Sequence, residues 1–160
     1  MEKMTARRIV HVINIKHIND KVFITESVYR EIMCTIGCAS PESGGILGMK
    51  DGVISDFCYD ENPSGTGNTY IPDFARLNTV LQLWHQTGVK FAGVIHSHPP
   101  DMRQLSYADI RYAMQIMNAN DLCKVYFPLV FPDTNEIFFY NVSSSGCVVL
   151  NRHVIKKLYK

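Results

Sequence analysis

The chain has almost no net charge: 16 Lys and Arg stand against 15 Asp and Glu in 160 residues, a formal +1. A nucleic-acid-binding domain normally carries a basic excess or stripe, so this balance argues against one. Long apolar runs are also missing. The longest near-apolar stretch, Val125 to Pro132, is too short to span a bilayer. Met1 to Arg8 offers neither an extended apolar segment nor a small-residue cleavage site, which predicts no secretory leader. Cysteine is scarce and unpatterned. Cys34, Cys38, Cys58, Cys123 and Cys147 are odd in number and show no C-x-x-C spacing, which fits a reducing cytoplasm better than a disulfide framework. There is no internal repeat and no low-complexity tract. What is present is an ordinary globular composition, 46% hydrophobic and 19% charged. The length predicts one domain over residues 1–160, large enough to bury a core without staples.

Along the chain, Ile9 to Ile15 alternates and reads as a strand, and Val22 to Ile24 leads to Thr25, a helix N-cap. A helix follows to about Gly37, with Val28, Ile32 and Ile36 on one face. Glu42 to Gly48 reads as a strand, Asp51-Gly52 as a hairpin turn, and Val53 to Tyr59 as the return strand. The polar stretch Asp60 to Thr69 reads as an exposed loop. A second helix starts near Pro72-Asp73, carries Phe74, Leu77, Leu81 and Trp84, and stops at Gly88. Phe91 to His98 is a short strand ended by Pro99-Pro100. Ser106 opens a third helix with Ile110, Ala113, Met114 and Met117 on one face. Val125 to Val130 and Glu136 to Val142 read as strands joined by Pro132 to Asn135. Val148 to Leu150 reads as a last short strand before a solvated basic tail at Lys156-Lys157. The fold class expected is α+β, a mostly antiparallel sheet flanked by helices.

The chemistry concentrates in His96-Ser97-His98-Pro99 and Ser106-Tyr107-Ala108-Asp109. Residues i and i+2 of a strand share a face, so His96 and His98 present two imidazoles together while Ser97 points away. Pro99 holds His98 extended. Asp109 lies in the first turn of the next helix, which can fold back over the strand end. Two imidazoles and a carboxylate give three protein ligands and leave a fourth position on Zn²⁺ for water, whose pKa falls toward about 7. A carboxylate outside that set must then carry the proton. The candidate is Glu42, just ahead of Gly44-Gly45, whose bare backbone permits close approach to a metal or to a substrate strand.

Taken together, Glu42 to Gly48, His96 to Pro99 and Ser106 to Asp109 resemble the JAMM signature of JAB/MPN-domain metallopeptidases, in the family's element order. The resemblance runs from about Val22 to Val142 and points to the compact prokaryotic type, with a JAB/MPN, cytidine-deaminase-like architecture. It implies one zinc per chain held by His96, His98 and Asp109, with Glu42 as general acid/base and Ser106 donating to the oxyanion. Losing such a donor typically costs about 3 kcal/mol of barrier. The implied reaction is hydrolysis after the C-terminal tail of a ubiquitin-like or sulfur-carrier-like protein, with activating- and conjugating-enzyme-like (E1- and E2-like) proteins as further partners. The tail is expected to add as a strand beside the Glu42 to Gly48 hairpin. Leu105 stands where many bacterial members have Pro, a change expected to alter loop stiffness.

Plainer readings accompany these. Ser106 and Asp109 also fit a capping box, and Glu42 fits a surface carboxylate. Cys34 and Cys38, four apart, read as small core residues before they read as ligands. His11, His17 and His153 lack ligand spacing, and His85 suits a helix C-terminus. Ser64 to Gly67 lacks the context of a phosphate loop. Rival functions are a non-catalytic MPN scaffold and a zinc peptidase of cell-wall or phage-tail peptides. A DNA-repair-associated relative fits less well, because Pro100-Asp101 replaces its Ser-Gly. There is no His-Glu-x-x-His of a zincin and no Pro-Cys-x-x-Cys of a nucleoside deaminase.

Overall fold

A computed structural model describes residues 13–61, 63 and 70–158. Within them the elements are β1 (Ile15–Thr25), α1 (Glu26–Cys34), a 3₁₀ turn (Ile36–Cys38), β2 (Gly44–Lys50), β3 (Val53–Tyr59), α2 (Phe74–Gln86), β4 (Lys90–Ser97), α3 (Tyr107–Asn120), β5 (Lys124–Tyr126), β6 (Leu129–Phe131), β7 (Glu136–Ser143) and β8 (Val148–Lys157). Each helix starts where a side chain can satisfy a free amide. The Thr25 hydroxyl accepts from Val28 N–H at 3.2 Å, and Asp73 from Arg76 N–H at 3.3 Å. Asp51 and Gly52 make the β2–β3 turn with φ of 51° and 76°, the left-handed pair that a tight hairpin requires.

The fold is mixed α+β. The strands follow the order β2-β3-β1-β8-β7-β5-β4-β6, and β4 also pairs with β2, closing the sheet into a ring. Among the described residues antiparallel pairings predominate, five against four parallel ones. Neighbouring residues of the inner strands go to opposite faces. Leu47, Ile95, Val130 and Phe139 join a cluster with Val28 and Ile32 of α1. Ile46, Val94, Leu129 and Tyr140 join the other, with Leu77 of α2 and Ala113 and Met117 of α3. This period of two decides where the histidines go: His96 follows Val94 onto the α2/α3 side.

Several expectations are corrected. The strand predicted over 9–15 lies partly outside the described residues, and the strand present runs from Ile15 to Thr25. β8 continues through Lys157, where a solvated tail was expected. These two polar segments are strands because they pair with each other in parallel, Ile15 opposite Val148 through to Thr25 opposite Lys157. Even the tail lysines are placed: the Lys156 and Lys157 ammonium groups lie 4.5 and 4.3 Å over the rings of Tyr29 and Phe23. The strand predicted over Val125 to Val130 is broken at Phe127-Pro128, where proline has no N–H to donate. β2 pairs with β3 on one side and β4 on the other, so no strand can be added along it. Gly44 and Gly45 are required by these neighbours: a Cβ on Gly44 would stand 2.7 Å from both the Ile95 carbonyl and the Tyr70 ring. Cys34 and Cys38 are exposed, and so is Phe74.

Candidate metal centre

The end of β4 carries His96 and His98 on one side of the sheet, both almost fully buried, with their Nε2 atoms 3.0 Å apart. Between them, Ser97 grips the segment that holds Glu42. Its N–H donates to the Ser43 carbonyl at 2.8 Å, and its hydroxyl oxygen accepts from Ser43 N–H at 3.1 Å. A Glu42 carboxylate oxygen and one nitrogen from each histidine consequently lie within 4.8 Å of one another.

Asp109 reaches the same point from α3. One oxygen is 3.2 Å from His96 Nε2 and the other 3.2 Å from His98 Nε2. Ser106 and Asp109 also form a full capping box: Asp109 accepts from Ser106 N–H at 2.7 Å, and the Ser106 hydroxyl oxygen accepts from Asp109 N–H at 3.1 Å. The plain reading and the metal reading of this motif therefore hold the same conformation. The capping bond uses Ser106 only as an acceptor, which leaves its hydroxyl hydrogen to donate elsewhere.

The loop between β4 and α3 is fixed at three places. His98 Nδ1 meets the Met102 carbonyl at 3.1 Å. Arg103 pairs with Asp133 on the β6–β7 turn and with Glu136 at the start of β7, and lies 4.3 Å over the Phe131 ring. Leu105 is buried in the core beside the Ser106 cap.

The electrostatics ask for a cation. The Met102 carbonyl only accepts, so the facing Nδ1 of His98 carries the proton. A neutral His98 then turns an Nε2 lone pair toward an Asp109 oxygen, which also only accepts. Burial works against charge on His98, but the Asp109 hydrogen bond and the nearby charges of Asp109 and Glu42 outweigh it and raise its pKa. Burial likewise opposes ionisation of Asp109, yet bonds from both histidines hold it well below the usual carboxylate range. A proton or a metal ion satisfies the arrangement. The donor edges of 3.0 and 3.2 Å suit a tetrahedral ion with ligands at about 2.0–2.1 Å, whose edges span about 3.3 Å. Two imidazoles and a carboxylate are a donor set that zinc accepts.

The site opens into a cleft of about 500 Å³ lined by Glu42, Tyr70, Ile71, Phe74, Met102 and Ser106 among others. Ile71, Phe74 and Met102 are exposed there. Burial pushes the hydroxyl of Tyr112, on the same wall, up to about 12, so it stays neutral. A larger apolar groove of about 800 Å³ continues between α2 and α3 past Leu77, Phe91 and Ile116.

All five residues singled out from the sequence, Glu42, His96, His98, Ser106 and Asp109, meet in this one place. His17, His85 and His153 are exposed and do not line the cleft, while His11 and Ser64 to Gly67 lie outside the described residues. Three features carried no signal: the Met102 carbonyl, Tyr70 and Asp60. Asp60 was expected in an exposed loop but is fully buried.

No family model and no curated protein matches the chain. Solved structures do. A protein from Desulfitobacterium hafniense superposes with a TM-score of 0.67 at 17% identity, covering 86% of this chain and 94% of that one. A JAB1/MPN domain protein from Archaeoglobus fulgidus gives 0.51 at 16%, covering 85% and 99%. A protein from Salinibacter ruber gives 0.54 at 16%, covering 83% and 90%. The chain has a JAB/MPN-like fold. Among the described residues no helix is long and apolar enough to cross a membrane.

Proposed function

We propose that the protein is a zinc-dependent peptidase or isopeptidase, cutting the bond after the C-terminal tail of a ubiquitin-like or sulfur-carrier-like protein. The observation that carries this reading is the convergence of His96, His98 and Asp109 within 3.0–3.2 Å, with the Glu42 carboxylate beside them. In this reading His96, His98 and Asp109 hold the metal. The chemistry that bound zinc supplies is Lewis-acid polarisation of a carbonyl and acidification of water.

The remaining roles belong to the chain. Glu42 takes a proton from the attacking water on its carboxylate and returns it to the leaving amine. Ser106, braced by its cap, donates its hydroxyl hydrogen to the carbonyl oxygen as negative charge develops there. Ile71, Phe74 and Met102 supply apolar contact for a tail lying in the cleft. With β2 paired on both sides, that tail is held by side chains and the cleft wall rather than by strand addition beside Gly44 to Gly48.

The test is hydrolysis of a ubiquitin-like fusion by purified protein, with and without a chelator, alongside metal analysis. Glu42→Gln is expected to lower turnover by about 10²–10⁴-fold while stoichiometric zinc stays bound. His96→Ala is expected to lose the metal. Full activity in Glu42→Gln would refute its role as the base. A wild-type protein that holds no stoichiometric metal would point to a scaffold instead.

A further inference from the structure

His98 and His96 are oriented by different means. His98 is anchored through Nδ1 to the Met102 carbonyl at 3.1 Å. Among the described residues, His96 Nδ1 is buried without a hydrogen-bond partner. An imidazole can turn broadly about its outer torsion unless something stops it. Around His96 the stops are rings. Phe127 meets it edge-on at 5.5 Å between centroids, and Tyr70 lies nearly parallel to it at 6.0 Å and 14°.

Tyr70 is itself tightly held. Its hydroxyl donates to Asp60 at 3.0 Å, and Asp60 is fully buried. The same Asp60 oxygen accepts from the N–H of Asp73, the cap of α2, at 2.9 Å, and Asp60 N–H donates to the Gly44 carbonyl at 2.9 Å. The ring packs on the bare backbone of Gly44, where any Cβ would stand 2.7 Å away. Burial first, and then the Asp60 charge, raises the Tyr70 pKa, so the phenol stays a donor.

We infer that Asp60 and Tyr70 are positioning residues for His96. The tethered phenol ring lies against the imidazole face and keeps Nε2 aimed at Asp109 and His98. A ligating histidine usually gains this from a hydrogen bond on its second nitrogen; here ring packing supplies it. The inference rests on the metal reading above, and its test separates the two.

Zinc affinity is measured by competition with a chromophoric chelator for wild type, Tyr70→Ala, Tyr70→Phe and Asp60→Asn, and unfolding of each metal-free chain is followed in parallel. Tyr70→Ala is expected to bind zinc about 10–100-fold more weakly. Tyr70→Phe, which keeps the ring without its tether, falls between it and wild type. The cobalt(II) absorption of the loaded protein, which reports donor geometry, shifts in Tyr70→Ala. Wild-type affinity in Tyr70→Ala, or an unchanged cobalt spectrum in a chain that is only less stable, overturns the inference. If Tyr70→Ala does not fold, Tyr70→Phe and Asp60→Asn decide, and unaltered affinity in both overturns it. A wild-type chain without zinc affinity removes the metal reading itself, whereas tight binding in every variant removes only this inference.

Discussion

The cap that Ser106 and Asp109 form and the catalytic and metal-holding roles proposed for them call for one and the same conformation. The capping box turns the Asp109 side chain back over the start of α3, and that is the direction of the histidine pair. Substitution at Ser106 can separate the two roles. Ser106→Ala is expected to cost about 0.5–2 kcal/mol of stability, because Ala cannot cap, whereas Gly at an N-cap costs only a few tenths. Ser106→Gly should therefore unfold at nearly the wild-type denaturant concentration, yet turn over about 10²–10³-fold more slowly on the proposed substrate. Equal activity of Ser106→Gly and wild type would leave Ser106 a cap alone. At this scale the sequence was highly legible. Ser-x-x-Asp and His-x-His are local patterns whose geometry follows from helix and strand periods. Tyr70 and the Met102 carbonyl were not legible, because a ring packed across the fold and a backbone acceptor leave no spacing to read.

The loop from Pro99 to Leu105 joins the histidine strand to the aspartate helix, and its setting depends on how it is anchored. Leu105 is buried among core side chains immediately before the cap. Leu105→Ala is expected to lose about 2–5 kcal/mol, as buried leucines do when a cavity remains, measurable by urea unfolding. It should also slow turnover, since Ser106 loses its fixed neighbour. The opposite kind of element was hard to foresee. β1 and β8 carry runs such as Lys16 to Lys21 and Arg152 to Lys157 in which exposed polar residues dominate. Periodicity detects a strand only where one face is apolar, and here long-range pairing supplies what the alternation does not. The break at Pro128 had a visible cause, and its missing donor explains why one predicted strand is two.

For the molecule as a whole, the candidate centre couples pH to stability and, in its proposed metal-holding role, would couple pH to metal in the opposite direction. The Asp109 carboxyl is held below its usual value, so its contribution is present above about pH 3.9 and is lost on acidification. The His98 pKa is raised, so its contribution is present below about 6.5 and fades as pH climbs through the folded-state value. The metal-free chain should accordingly be most stable at mildly acidic pH. Zinc held as proposed would compete with the His98 proton, so its binding is expected to tighten as pH rises. The increase in melting temperature on adding zinc should grow from about pH 5.5 to about pH 8. A constant or shrinking increment in paired thermal melts would contradict the assigned ligands. The seam of the ring has a consequence of its own, in time rather than in energy. β2 and β3 meet across a two-residue turn, whereas β1 finds β8 only after the rest of the chain has been threaded between them, Ile15 against Val148. Contacts so distant in sequence slow folding, so the hairpin that follows Glu42 can form early and the β1–β8 seam late. A chain still on the ribosome would then carry His96 and His98 on a sheet that has not yet closed, with Asp109 on the helix that follows it.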